Sequence, residues 1–227
     1  LNPKHIVLDL RKHLLTRAQD EAIVGTSIPE EAVFQCTTCA ACEYQCPVGI
    51  EHLPLIIGLR RGEVNTGKYQ EEYASKLFAN LETRRNPFGL EATVREAFLK
   101  KAHLPLFDAT QEWCLWLGCV GSYDPHGQEI ILALTEILRA AGKSFGVLAK
   151  EVCTGDPARR LGNDYLFLQL AEQNIAALNQ ARVHKLVSIC PHCVKTISQD
   201  WPAAAGWPQT FGAEAKFEIV HHSRLLA

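Results

Sequence analysis

Apolar positions along the 227-residue chain follow two different rhythms. Over residues 4–19 they fall at Ile6, Val7, Leu10 and Leu14, the spacing of an amphipathic helix, and Pro3 stands where a helix can begin. Residues 20–35 are mixed and broken by Gly25 and Pro29. A cysteine-dense run from Cys36 to Cys46 is closed by Pro47 and Gly49. Residues 51–110 predict helices and loops, with a turn at Asn86-Pro87-Phe88-Gly89.

From about residue 112 short apolar runs alternate with helical patterns. Cys114 to Leu117, Phe145 to Ala149, Lys185 to Ile189 and Phe217 to Val220 predict four strands. Between them, Asp124-Pro125 opens a helix with an inner face of Ile130, Ile131, Leu134, Ile137 and Leu138, stopped by Gly142. Asp156-Pro157 repeats the device and predicts one long helix to about Gln180, lined by Leu161, Tyr165, Leu168 and Ile175. Pro191 opens another helix. Strands alternating with helices imply a mostly parallel sheet with covering helices.

Composition narrows the function. With 47% hydrophobic and 21% charged residues the chain reads as ordinary and globular. Its net charge of −2 argues against a nucleic-acid surface. No stretch is long and apolar enough to span a membrane, and no leader is visible. Neither a dinucleotide fingerprint, a P-loop nor a haem-attachment motif is found. Nine cysteines and no methionine stand out. The odd number would leave a thiol over in a disulfide framework and fits metal ligation in a reducing, cytoplasmic setting. The missing start methionine leads to the expectation of an internal piece of a longer protein.

Cys36, Cys39, Cys42 and Cys46-Pro47 have the form C-x2-C-x2-C-x3-C-P, the ferredoxin run for a [4Fe–4S] cluster. Closely spaced thiolates can wrap a cubane, and the proline turns the chain away. A zinc site would want a longer loop between two arms, and the cysteines are too close and too many for disulfides. In two-cluster ferredoxins the fourth cysteine serves the other cluster. Cys46 therefore either closes a local cluster or belongs with a run upstream of Leu1.

Cys119, Cys153, Cys190 and Cys193 are dispersed. The inferred topology sets the first three after successive strands and Cys193 in the first turn of a helix, at the edge where open α/β sheets gather ligand sites. Four such thiols can bind a cluster or a metal. Alternatively Cys119 and Cys153 are buried like small hydrophobes, and Cys190-Pro191-His192-Cys193 is a thiol–disulfide redox pair. Its late position and the two remaining cysteines argue against that pair. Cys114 reads as core. Arg159 and Arg160 suit either an acidic partner or cluster sulfurs on one side, or a salt bridge on the other. His221-His222 suit a metal or proton relay, or half-buried strand positions.

Three stretches, Leu117 to Asp124, Cys153 to Asn163 and Cys190 to Cys193, resemble the cysteine-rich domain of heterodisulfide reductase-related iron–sulfur proteins. Asn2 to Arg11, Asn86 to Gly89 and Val220 to His222 extend the resemblance over nearly the whole chain. It is similar to the branch that passes electrons between electron-transfer flavoprotein and quinone, whose members often carry a membrane cytochrome b-like segment upstream. The resemblance implies an α+β fold: a helical ferredoxin-like [4Fe–4S] domain over 1–70, a helical linker over 71–110, and an α/β cysteine-rich domain with a mostly parallel sheet over 111–227. It implies an oxidoreductase subunit with a flavoprotein donor and a quinone or membrane-cytochrome acceptor, at the cytoplasmic face of the membrane through a segment outside this chain. A second iron–sulfur centre would sit on Cys119, Cys153, Cys190 and Cys193. The family motif has two adjacent cysteines before its glycine, and here the second is Thr154. That departure puts a five-thiolate non-cubane cluster in doubt. A heterodisulfide- or disulfide-reducing enzyme acting at the C-terminal site stays open as the alternative.

Overall fold

The computed structural model describes residues 2–16, 21–204 and 217–227. In chain order the elements are α1 (Pro3–Leu15), α2 (Glu30–Phe34), α3 (Ala41–Tyr44), α4 (Leu53–Asn65), α5 (Glu72–Arg84), α6 (Ala92–Lys101), β1 (Trp113–Trp116), α7 (Gly118–Tyr123) and α8 (Pro125–Ala140). There follow β2 (Phe145–Gly146), α9 (Asp156–Leu161), α10 (Asp164–Gln180), β3 (Lys185–Ser188), α11 (Pro191–Lys195), a π-helical turn (Thr196–Asp200), α12 (Trp201–Ala204), β4 (Glu218–His221) and α13 (His222–Leu225). The protein is mixed helix and sheet, 57% helical. It divides into two compact units: residues 1–74 with 157–164, and residues 75–156 with 165–227.

In the first unit α1 begins as expected, with Pro3 as its first residue and the Asn2 side chain accepting the Lys4 N–H at 3.2 Å. Its inner face is narrower than the pattern suggested. Ile6 is buried with Val24, Ile28, Val33 and Ile56, Val7 and Leu10 are half-buried, and Leu14 is 65% exposed. Residues 17–19 of the expected helix lie outside the described residues.

The second unit is built on a wholly parallel four-stranded sheet in the order β2-β1-β3-β4. Cys114 stands opposite both Gly146 and Leu186, and Ser188 opposite His221. Side chains alternate between faces along each strand. Leu115 and Val187 therefore pack with Ile131, Leu134 and Leu138 of α8 and Phe98 of α6. On α8, Ile130 and Ile137 lie outside that face and are exposed. Trp116 meets Trp201 edge to face at 6.1 Å. Cys114 is fully buried, and burial pushes its thiol pKa up, so it is core as expected.

Two element boundaries differ from the sequence pattern. The second strand ends at Gly146, after which Val147 exchanges main-chain hydrogen bonds with Pro105 and Phe107. A Cβ on Gly146 would lie 2.6 Å from Phe107 Cα, so the adjoining segment needs the glycine there. The long helix expected over 156–180 is two helices. Asn163 N–H donates to Ala158 O and Gly162 N–H to Arg159 O, which is a Schellman C-cap, with Gly162 at φ +91°. The break resets the helical phase. Tyr165, expected inside, is 72% exposed, while Leu166, Phe167, Leu170, Ala171, Ile175 and Leu178 are buried.

Gly162 also lies against α4, where an added Cβ would meet Arg61 N at 2.5 Å. Gly162→Ala should therefore cost about 2 kcal/mol, from positive φ and backbone overlap together. The cost should appear as a lower urea midpoint; a midpoint equal to that of the unsubstituted protein would contradict this turn.

Candidate functional site

The first cysteine run leaves α2 and reaches α4 on a loop that takes left-handed backbone at Thr38 (φ 56°) and Ala40 (φ 62°). These turns aim amides at sulfur. Thr38 N–H donates to Cys36 Sγ and Ile50 N–H to Cys46 Sγ, each at 3.3 Å. Backbone amides, first that of Ala41, hold the Cys39 thiol below its ordinary pKa, and those of Ile50, Val48 and Gly49 do so for Cys46. Burial pushes Cys42 up, and Cys36 lies near enough to add to that. Left-handed backbone, converging amides and four thiols within one loop fit a cluster held by thiolates that accept N–H···S bonds.

Two arginines hold this loop. Arg60, 2% exposed, donates from Nε to Val33 O at 3.0 Å and from Nη2 to Val33 O at 2.7 Å and Cys36 O at 2.6 Å. Its Nη1 donates to Arg160 O at 2.7 Å. Arg160 donates from Nε to Thr38 Oγ1 at 2.6 Å and from Nη2 to Thr37 O. Arg159 pairs with Asp164 at 2.7 Å, while Arg160 reaches the cysteine loop.

The second group forms in the other unit at the C-terminal ends of the parallel strands. Cys119 is in α7 directly after β1, Cys153 is in the loop after β2, and Cys190 caps α11 after β3 with Cys193 inside that helix. The Cys119 thiol lies close to Cys153, and that neighbour, burial and the nearby Cys193 push its pKa well up. Cys193 lies close to Cys190; that neighbour and burial push Cys193 up, while Cys193 and the backbone amides of Cys193 and His192 pull Cys190 down to about 6. All four dispersed cysteines thus come together. Gly118 (φ +65°) forms the floor, because a Cβ there would lie 2.9 Å from Cys193 Sγ. Trp116 Nε1 is buried without a hydrogen-bond partner and borders the same floor. Four soft thiols, an unused N–H donor and a floor without a side chain fit an iron–sulfur group. Among the described residues no three His, Cys, Asp or Glu side chains close around one ion-sized position. A cubane takes one thiolate at each iron and asks for a wider spread of sulfurs.

Several supporting residues carried no sequence signal. Glu151, with its side chain 2% exposed, accepts the N–H groups of Leu117 and Gly118 and pairs with buried Arg95 at 3.5 Å. Burial pushes its carboxyl pKa up against the pull of Arg95 and the two amides. Asp156 faces His192 Nδ1 at 3.4 Å. Thr154 is buried, and its carbonyl accepts the Trp201 indole N–H at 3.0 Å. His221 and His222 are half-buried; His221 ends β4 and donates from Nε2 to Ile189 O at 3.0 Å, and His222 opens α13. A cavity of about 420 Å³ opens beside Glu151 and Tyr123, also lined by Arg85, Arg95 and Lys150.

Residues 113–198 match the family model described as a cysteine-rich domain, CCG. A probable iron–sulfur-binding oxidoreductase, FadF, of Bacillus subtilis is 37% identical over 216 residues, covering 91% of this chain and 29% of that protein. The EtfAB:quinone oxidoreductase of Syntrophomonas wolfei is 32% identical over 216 residues, covering 92% of this chain and 29% of its own. The chain carries a CCG cysteine-rich domain and is similar over most of its length to iron–sulfur oxidoreductases. One subunit of the dihydromethanophenazine:CoB–CoM heterodisulfide reductase of Methanosarcina barkeri is 26% identical over 205 residues, covering 87% of this chain and 47% of its own. The chain spans 29% of the length of the first two relatives. No solved structure matches it significantly. Among the described residues no helix is long and apolar enough to cross a membrane.

The spread of acidities in the C-terminal group can be checked directly. In cluster-free protein, iodoacetamide should alkylate Cys190 with a pH midpoint near 6, because its thiolate is present above that value and lost below it. Cys119 and Cys193, held protonated, should react only at much higher pH. Peptide mass spectrometry showing equal rates at all three would refute the arrangement.

Proposed function

We propose that this chain is the electron-transfer part of a respiratory-type iron–sulfur oxidoreductase, carrying single electrons between a flavoprotein donor and a quinone or similar acceptor. The gathering of Cys119, Cys153, Cys190 and Cys193 at one sheet edge carries the reading, since four soft thiols brought together from distant positions suit an iron–sulfur centre. On this reading residues 1–70 are a ferredoxin-type domain holding a [4Fe–4S] cluster on Cys36, Cys39, Cys42 and Cys46. Residues 71–110 are a linker, and residues 111–227 hold a second centre on the other four. The clusters supply one-electron chemistry when bound. The chain's own residues ligate, exclude water and aim amides at sulfur. Electron-transfer flavoprotein and quinone are the partners suggested by the name of the Syntrophomonas relative. A quinone partner would place the protein at the cytoplasmic face of a membrane.

A second reading, in which a disulfide or heterodisulfide is reduced at the C-terminal site, rests on the lowered pKa of the Cys190 thiol. The low-pKa Cys190 also suits a thiol–disulfide oxidoreductase. In that case Cys119→Ala and Cys153→Ala would retain the redox titration, whereas loss of iron in both supports the metal centre.

Anaerobically purified protein should contain iron and acid-labile sulfide, and Cys36→Ser and Cys190→Ser should each remove a different paramagnetic signal. Iron near zero in the native protein would overturn the electron-transfer reading. Thr154→Cys should leave one-electron transfer in place; disulfide reductase activity gained by that variant alone would favour the second reading.

A further inference from the structure

Arg60 is a buried cation in an unusual setting. Its guanidinium hydrogen bonds run to the backbone carbonyls of Val33, Cys36 and Arg160. Other arginines of the chain meet carboxylates: Arg61 and Arg159 pair with Asp164, and Arg95 with Glu151. Carbonyl oxygens offset part of the cost of taking a guanidinium out of water, but they supply no net counter-charge. The Cys36 sulfur acts on Arg60 in favour of its charge, and Arg60 grips the carbonyl of that same residue. Arg160 approaches the same loop from outside, bonding Thr37 O and Thr38 Oγ1, and its charge reaches Cys39.

We infer that Arg60, assisted by Arg160, is a positioning residue that supplies the counter-charge of the N-terminal cluster and thereby raises its reduction potential. This rests on the reading of Cys36 to Cys46 as cluster ligands. One-electron reduction adds one negative charge to the cluster, with no bond made or broken and no proton required. A fixed positive charge in a poorly solvated site stabilises the more negative state, and net charge, hydrogen bonding and exposure are the protein's means of setting such potentials. The same two side chains pin the peptide units around Thr38, whose N–H is the one aimed at Cys36 Sγ. Removal of either should act on charge and on the N–H···S bond in the same direction.

The test is a redox titration of the full-chain protein, followed by the paramagnetic signal that Cys36→Ser abolishes. At the native midpoint potential, Arg60→Gln should lower the reduced-to-oxidised ratio about tenfold, equivalent to about 59 mV for a one-electron couple. Arg160→Gln should shift it in the same direction by a smaller factor, and the signal that Cys190→Ser abolishes should not move. Arg60→Lys, which keeps the charge, should recover most of the potential even if it loses carbonyl bonds. Unmoved midpoints in Arg60→Gln and Arg160→Gln, with the signal intact, would overturn the inference. So would a shift in Arg60→Lys equal to that in Arg60→Gln. If Arg60→Gln fails to load a cluster, Arg160→Gln and Arg60→Lys still decide. Absence of any N-terminal signal in the unsubstituted protein would instead defeat the cluster reading, and the inference with it.

Discussion

Parallel pairing is the constraint on which the C-terminal site depends. A parallel strand cannot turn straight back into its neighbour, so each must return by a crossover and start again at the same edge. Because β1 lies between β2 and β3, the segments leaving three adjacent strands open beside one another. Cys119, Cys153 and Cys190 stand in those segments, and helical spacing adds Cys193 one turn later. The ladder therefore brings the sulfurs together, and local sequence only decides which residues occupy the openings. Gly118 has to be without a side chain for the arrangement to close, because the Cys193 sulfur occupies the space a Cβ would take. Glu151, fixed by Arg95, ties the amides of Leu117 and Gly118 so that the turn into α7 cannot drift.

The N-terminal run solves a similar problem by different means. It has no sheet beneath it, and Cys39 is exposed. Order comes from left-handed residues, from amides turned toward sulfur, and from guanidinium groups that occupy loop carbonyls. Such a loop is stable only while its polar groups are matched, since an unmade bond to a buried carbonyl costs more than a made one contributes. The stack of Phe34 on Tyr69, with centroids 3.6 Å apart and Arg60 over the Phe34 ring, closes the buried side of this assembly.

How much was legible in the sequence follows from the range of each interaction. The first run is a local spacing and could be read without a fold. The strands were legible as short apolar runs, and with them the edge where the dispersed cysteines gather, because parallel topology follows from alternation alone. The faces of helices were harder. A continuous phase through Gly162 put Tyr165 inside, although Gly162-Asn163 carries a recognisable stop signal. Leu14, Ile130 and Ile137 fit their helical patterns yet stand exposed, since periodicity marks a broad face and packing uses only part of it. Arg60 and Arg61 are indistinguishable as letters; one is buried among carbonyls and the other pairs with Asp164. Trp116, Arg95 and Glu151 act through partners far away in the chain, which no pattern within a window can show.

The acidities of the C-terminal thiols bear on how the site would accept a metal group. Metal ligands must be deprotonated, so loading releases whatever protons the empty site holds. Cys190 is already mainly thiolate at neutral pH, while Cys119 and Cys193 are held as thiols by burial and by the neighbouring Cys153 and Cys190 sulfurs. Gathering four thiolates in one buried place is unfavourable until iron supplies positive charge, and the nearby Glu151 carboxylate adds to the repulsion. The Trp116 N–H, buried without a partner, borders the same place. A fifth thiol at position 154 would add a further proton to be displaced and a further negative charge in a place already closed by Trp201. Position 154 carries threonine, so this chain brings four thiols to the sheet edge and no fifth from the residue after Cys153.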